Sequence, residues 1–154
     1  MIRMTQNEEK EKRFSGKGRT GSRELLVQAL YQYQINADNL QSLLKQAKTL
    51  SEYKRIDQKY FKFLLEHILK NTNQLSEDIT PFLDRKIKQI DPIELSILWI
   101  GSYEMLYCED IPETVIMNEA IELAKTFGAD GSFQYVNAIL DSVSKNKNKE
   151  FGLS

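Results

Sequence analysis

The chain has 154 residues, 41% hydrophobic and 28% charged, with a net charge of −1 and a single cysteine. That is enough for one self-sufficient hydrophobic core, or for two small halves sharing one, in an ordinary soluble protein. No apolar run approaches the ~20 residues of a membrane span, and the charged start MIRMTQNEEKEKR lacks the apolar stretch of a secretory signal. Cys108 alone can neither close an intramolecular disulfide nor hold a metal. These readings place the protein in the cytoplasm.

In chain order, residues 1–21 are polar, with Gly16, Gly18 and Gly21 set among charges. Such a segment cannot bury enough apolar surface to offset the entropy of ordering, so a flexible basic arm is expected. Between Lys10 and Arg23 stand six bases (Lys10, Lys12, Arg13, Lys17, Arg19, Arg23) against one acid, Glu11. Ser22 is the expected N-cap of a first helix with Leu26, Ala29, Leu30 and Tyr33 on one face. A second helix, from Asn39 to about residue 50, carries Leu40, Leu43, Leu44 and Ala47. Asp57 opens a third, with Phe61, Leu64, Leu65 and Ile68 inward.

Pro81 lacks an N–H and suits a first helical position, which makes Thr80 a cap. A short helix near Leu75 to Ile79 should therefore give way to another carrying Phe82, Leu83, Ile87 and Ile90. In DPIE, at 91–94, an aspartate cap precedes proline at N1 and glutamate at N3. The helix that follows, from Leu95 to Tyr107, is apolar over much of its circumference and reads as the buried centre of the carboxy-terminal half, with Gly101 and Ser102 permitting close backbone approach. Pro112 starts the next helix, whose stripe is Ile116, Ala120, Leu123, Ala124 and Phe127, and Gly128 is placed to end it in a left-handed conformation. Ser132 starts the last helix, with Val136, Ile139, Leu140 and Val143 inward, and the chain should fray beyond Lys145. No strand alternation or long repeat is visible. The fold class is all-α, with seven or eight helices: an arm over 1–21, a helical domain over 22–146 and a polar tail over 147–154.

No catalytic constellation stands out. His67, the one histidine, lies on a structural helix; Cys108 has no neighbouring base to activate it; Glu119 and Glu122 read as a solvated face before an acid–base pair. The glycines form neither a dinucleotide fingerprint nor a phosphate loop. The reading is a non-enzyme without metal or cofactor. The charges are more telling. From Asp91 to Ala124 there are eight acids and no lysine or arginine, so a basic arm and an acidic flank suit a polyanion and a basic protein respectively. The arm's alternative role is solubility alone.

The wording NEAIELAKTFG (118–128) followed by VNAIL (136–140) resembles the carboxy-terminal signature of the NusB transcription antitermination family. VQALYQYQ, DQKYFKFLLEHI and DPIELSILWIGSYEML agree with it in order and spacing, so that the resemblance covers roughly residues 19 to 145. It implies two packed helical sub-bundles of about three helices each. It implies an adaptor that binds the boxA segment of nascent rRNA leader transcripts together with the small ribosomal protein NusE, within the RNA polymerase antitermination complex. Carried over, the RNA-binding residues are Lys17, Arg19 and Arg23 in the arm with Ser132 and Tyr135 at the last helix, where free N–H groups suit phosphate; Tyr135 could equally be core. The partner-binding residues are Tyr31 and Glu94. Gly131, Phe133 and Gln134 depart from the family pattern, as do Gly18, Thr20 and Gly21, which removes positive charge. Two other readings remain: a homodimeric interaction module without an RNA role, and a fragment of an rRNA cytosine methyltransferase. The latter's Rossmann-type catalytic domain has no counterpart in these 154 residues.

Overall fold

The computed structural model describes residues 16–150. Seven α-helices follow one another: α1 Gly18–Asn36, α2 Leu40–Lys48, α3 Gln58–Lys70, α4 Thr72–Ile79, α5 Pro92–Tyr107, α6 Glu113–Phe127 and α7 Ser132–Glu150. Short 3-10 turns lie at Ser51–Lys54, Thr80–Phe82 and Ile87–Gln89. Among the described residues there is no strand, only an isolated parallel bridge between Gly18 and Ile56, and no helix is long and apolar enough to cross a membrane. The chain divides within α3 into two units, Met1–Leu65 and Glu66–Ser154.

In the first unit α1 packs on α2. Leu25, Leu26, Ala29 and Leu30 of α1, Leu43 and Ala47 of α2, and Phe61, Leu64 and Leu65 of α3 are all buried, as helical spacing requires. Asn39 caps α2 by accepting the Ser42 N–H at 2.9 Å. Asp57 caps α3 by accepting the Tyr60 N–H at 3.0 Å. The start of α1 differs from expectation. The helix begins at Gly18, four residues before Ser22, and no side chain caps it. Its first N–H is instead satisfied by the distant Arg55 carbonyl at 3.0 Å, while the Gly18 carbonyl accepts the Asp57 N–H at 3.0 Å. The buried Ser22 hydroxyl donates to the Asp57 carbonyl at 2.6 Å. A tertiary clasp has replaced the cap, and the last residues of the expected arm, from Gly18, are helical; residues 1–15 of that arm lie outside the described part.

The second unit is built round α5. Every residue from Leu95 to Met105 is buried, and α4, α6 and α7 pack against it. Asp91 caps it, accepting the N–H groups of Ile93 and Glu94 at 2.9 and 3.2 Å, with Pro92 in the first turn. A Cβ on Gly101 would stand 2.6 Å from Cδ1 of the fully buried Leu140, so the glycine is what lets α7 approach. Trp99, 5% exposed, donates its indole N–H to the Ser76 hydroxyl at 3.1 Å. Cys108, buried, closes the last turn through its N–H to Glu104.

Four expectations are corrected. Residues 80–91 form two 3-10 turns rather than an α-helix, because the backbone is extended at Leu83, Lys86 and Ile90. Thr80 is no N-cap: its hydroxyl donates back to the Ser76 carbonyl at 2.6 Å. Gly128 is extended (φ −85°, ψ 170°), not left-handed. A Cβ there would meet the Ala124 carbonyl at 2.6 Å and the Ser132 hydroxyl at 2.7 Å, so closeness selects the glycine. The left-handed residue of that turn is Gly131, at φ +82°. Finally, α7 does not fray at Lys145 but runs to Glu150, tied by Lys147, which donates to the Met105 carbonyl at 2.8 Å.

Helix propensity alone predicts that Gly101→Ala stabilises by about 1 kcal/mol. The Leu140 contact reverses this: a net loss of about 1–3 kcal/mol is expected from overpacking. Chemical denaturation of Gly101→Ala, with and without Leu140→Val to reopen the space, measures it; a more stable single variant would show that the helices part freely.

Candidate nucleic-acid and partner interfaces

The clasp places the surviving root of the basic arm on a surface in the first unit. Lys17 and Arg19 are exposed. The Arg19 guanidinium carbon lies 4.1 Å from the centre of the Tyr60 ring, and its Nε is 3.9 Å from the Asp57 carboxylate. A cation over a ring, steered by a carboxylate, is attracted to the ring's negative face. Arg23 also approaches Tyr60, at 5.5 Å, but it is only 2% exposed. Of the three expected arm contacts, Lys17 and Arg19 are open to a phosphate and Arg23 is packed inside. Tyr31 is half-buried further along α1.

In the second unit, Ser132 is 3% exposed and its hydroxyl, with no hydrogen-bond partner among the described residues, faces Gly128. It shapes the turn rather than presenting a donor to solvent. Tyr135 is half-buried and not core: its hydroxyl donates to Asp84 at 3.0 Å, and the Arg85 guanidinium lies 5.1 Å from its ring. Arg85 is itself held by Asp84 through two hydrogen bonds of 2.7 and 3.0 Å. Phe133 lies under Lys125 at 5.2 Å. Glu94 is half-buried in the first turn of α5 and attracts Arg85 electrostatically. Arg85 thus packs on the expected RNA residue and is within electrostatic reach of the expected partner residue.

The structure separates charge by unit. Residues 16–65 hold nine lysines and arginines against four acids, and residues 66–150 hold eight against fifteen. Of the eight acids from Asp91 to Glu122, Glu104 is buried and the others reach solvent, at both ends of α5 and along α6. The residues weighed for chemistry are dispersed. His67 stands with its ring 6.1 Å from Tyr103, Glu122 faces Lys125 at 3.8 Å, and no cluster suited to a metal ion occurs among the described residues. Reading the sequence missed Tyr60 and Arg85, and gave Asp57 its place at a helix start but not its contact with Arg19. The run DRKIK at 84–88 was the available signal for Arg85; assigning it to a helix scattered its charges.

Comparison with known proteins agrees with the fold. The sequence profile of the NusB family matches residues 20–145. The transcription antitermination protein NusB of Tolumonas auensis is 41% identical over 127 residues, covering 82% of this chain and 92% of that protein. Its counterpart from Nitrosomonas europaea is 42% identical over 123 residues, covering 80% and 74%. The structure of T. maritima NusB superimposes with a TM-score of 0.73 at 28% identity, over 88% of this chain and 97% of that one. A crystal structure of the antitermination factors NusB and NusE in complex with dsRNA shares the fold, with a TM-score of 0.73 at 19% identity over 83% and 96%.

The Asp84 carboxyl is held below its ordinary value, first by the hydrogen bond from Arg85, against the opposing effect of burial, and then by that from Tyr135. Burial, then Asp84, pushes the Tyr135 phenol up. Because the Asp84 value is depressed on folding, the contact contributes stability above the ordinary carboxylate range and loses it as pH falls through the depressed value. NMR titration should show the Asp84 midpoint rising in Arg85→Gln and rising less in Tyr135→Phe. Equal midpoints in all three proteins would mean that the pair is open in solution.

Proposed function

The chain belongs to the NusB family, and from that premise we propose that it is an RNA-binding transcription antitermination factor of the cytoplasm. It joins NusE on the boxA segment of nascent rRNA leader transcripts and helps RNA polymerase read through terminators, without catalysing a reaction. The observation that carries this reading is the division of charge between the units. RNA needs cations to replace its counterions, and Lys17 and Arg19 stand exposed at the clasped start of α1. Tyr135 and Arg85 add an aromatic and a guanidinium plane of the kind that stacks on unpaired bases. Arg23 and Ser132 act from inside their own units, one against Tyr60 in the first and the other in the α6–α7 turn of the second. NusE, a basic protein, meets the acidic second unit at Glu94, with Tyr31 as a further contact from α1. The known complex of NusB and NusE with dsRNA supports the pairing.

Lys17→Gln with Arg19→Gln should weaken RNA binding and flatten its dependence on salt, each lost phosphate contact lowering the log–log slope by roughly 0.7. An unchanged slope would leave the arm a solubility device. Glu94→Lys should weaken NusE binding by about tenfold or more, since it turns attraction into repulsion, while RNA binding by the protein alone stays near wild type. Asp91 carries the cap, so Glu94→Gln controls for helix stability. Wild-type affinity of folded Glu94→Lys for NusE would move the protein interface elsewhere, with self-association as a homodimer then to be tested by sedimentation.

A further inference from the structure

We propose that the outer face of the first turns of α3, formed by Lys59, Lys62 and Phe63, is a stacking platform for single-stranded RNA. It rests on the RNA-binding reading above and extends the track begun by Lys17 and Arg19. Phe63 is 40% exposed, unusual for a phenylalanine in a helix whose other large apolar residues turn inward. Its ring stacks on Tyr60, with centroids 6.4 Å apart and planes at 26°, and Arg19 covers Tyr60 in turn at 4.1 Å. Cation, ring and ring therefore run without a break from the start of α1 onto α3.

Lys59 and Lys62 are exposed. Lys59 lies one helical turn from Phe63, at i to i+4, so it flanks the ring on the same face. No acid occurs from Gln58 to Leu65. The acids at either end are engaged: Asp57 caps the helix and meets Arg19, and Glu66 pairs with Lys70 at 3.3 Å. An exposed ring between two lysines is poorly suited to an apolar protein surface, which would have to desolvate both charges. It suits unpaired bases, which offer a π-face beside phosphates; the bases of a duplex are already stacked on each other.

The test titrates a fluorescein-labelled single-stranded 12-nucleotide RNA with the full chain, alone and with saturating NusE, following anisotropy over a range of salt. Phe63→Leu keeps apolar bulk without a π-face and should lose about 5- to 150-fold in affinity, whereas Phe63→Trp should bind as wild type. Lys59→Gln with Lys62→Gln should lower the log–log salt slope by roughly 1.4. Circular dichroism verifies that the exposed substitutions leave the helices formed. Wild-type affinity in Phe63→Leu and an unchanged slope in the lysine pair, with binding still lost in Lys17→Gln/Arg19→Gln, would overturn the platform and leave the broader reading standing. Failure of the wild type to bind RNA under either condition would overturn both. Loss of self-association in Phe63→Leu at constant RNA affinity would give this face to a second copy of the chain instead.

Discussion

A segment as polar and glycine-rich as residues 16–23 has little reason of its own to hold a shape. What gives it one is a clasp of two backbone hydrogen bonds between Gly18 and the stretch from Arg55 to Asp57, closed by the Ser22 hydroxyl. Gly21 permits it, since a Cβ there would press 2.4 Å from the Gly16 carbonyl and 2.7 Å from Ile56. Asp57 is the shared element: its carbonyl accepts from Ser22, its N–H donates to Gly18, and its carboxylate caps α3 and steers Arg19. One residue couples the beginning of α1 to the beginning of α3, so the cations of the first and the rings of the second are fixed by the same contacts.

The second unit obeys a different constraint. A helix with no polar side must be surrounded, and α5 is, by α4, α6 and α7. Apart from the buried Glu104, the acids of this stretch stand at its ends and along α6, where they reach water. Folding thus turns an uneven charge pattern along the chain into two oppositely biased surfaces. Arg85, the one arginine among residues 66–150, is held by Asp84 against Tyr135.

Much of this was legible because single residues leave few options. Proline after a capping aspartate starts a helix, and Gly101 in an otherwise apolar run signals a close approach. Residues 80–91 were not legible for an equally physical reason. Ile87 and Ile90 are three apart, a spacing that a lone 3-10 turn and an α-helix share. The start of α1 was misread because Ser22 has the chemistry of a cap yet uses its hydroxyl on a distant carbonyl, a choice only the fold reveals. Charge alone marked Lys17, Arg19 and Arg23 alike; one helical turn separates the exposed Arg19 from the buried Arg23. Ser132 was expected to offer a donor at a helix start, and it is buried because Gly128 leaves it room.

Trp99 has a consequence of another kind. It is the chain's single tryptophan, set in the middle of α5 with its indole on Ser76. Indole emission therefore reports on the second unit, while the seven tyrosines, Tyr31, Tyr33, Tyr53 and Tyr60 among them, also sample the first. A thermal melt watched through tryptophan is blind to the clasp. Followed beside helical ellipticity, it separates two behaviours: coincident curves mean that the chain opens as one cooperative body, and divergent curves mean that the first unit has a melting point of its own.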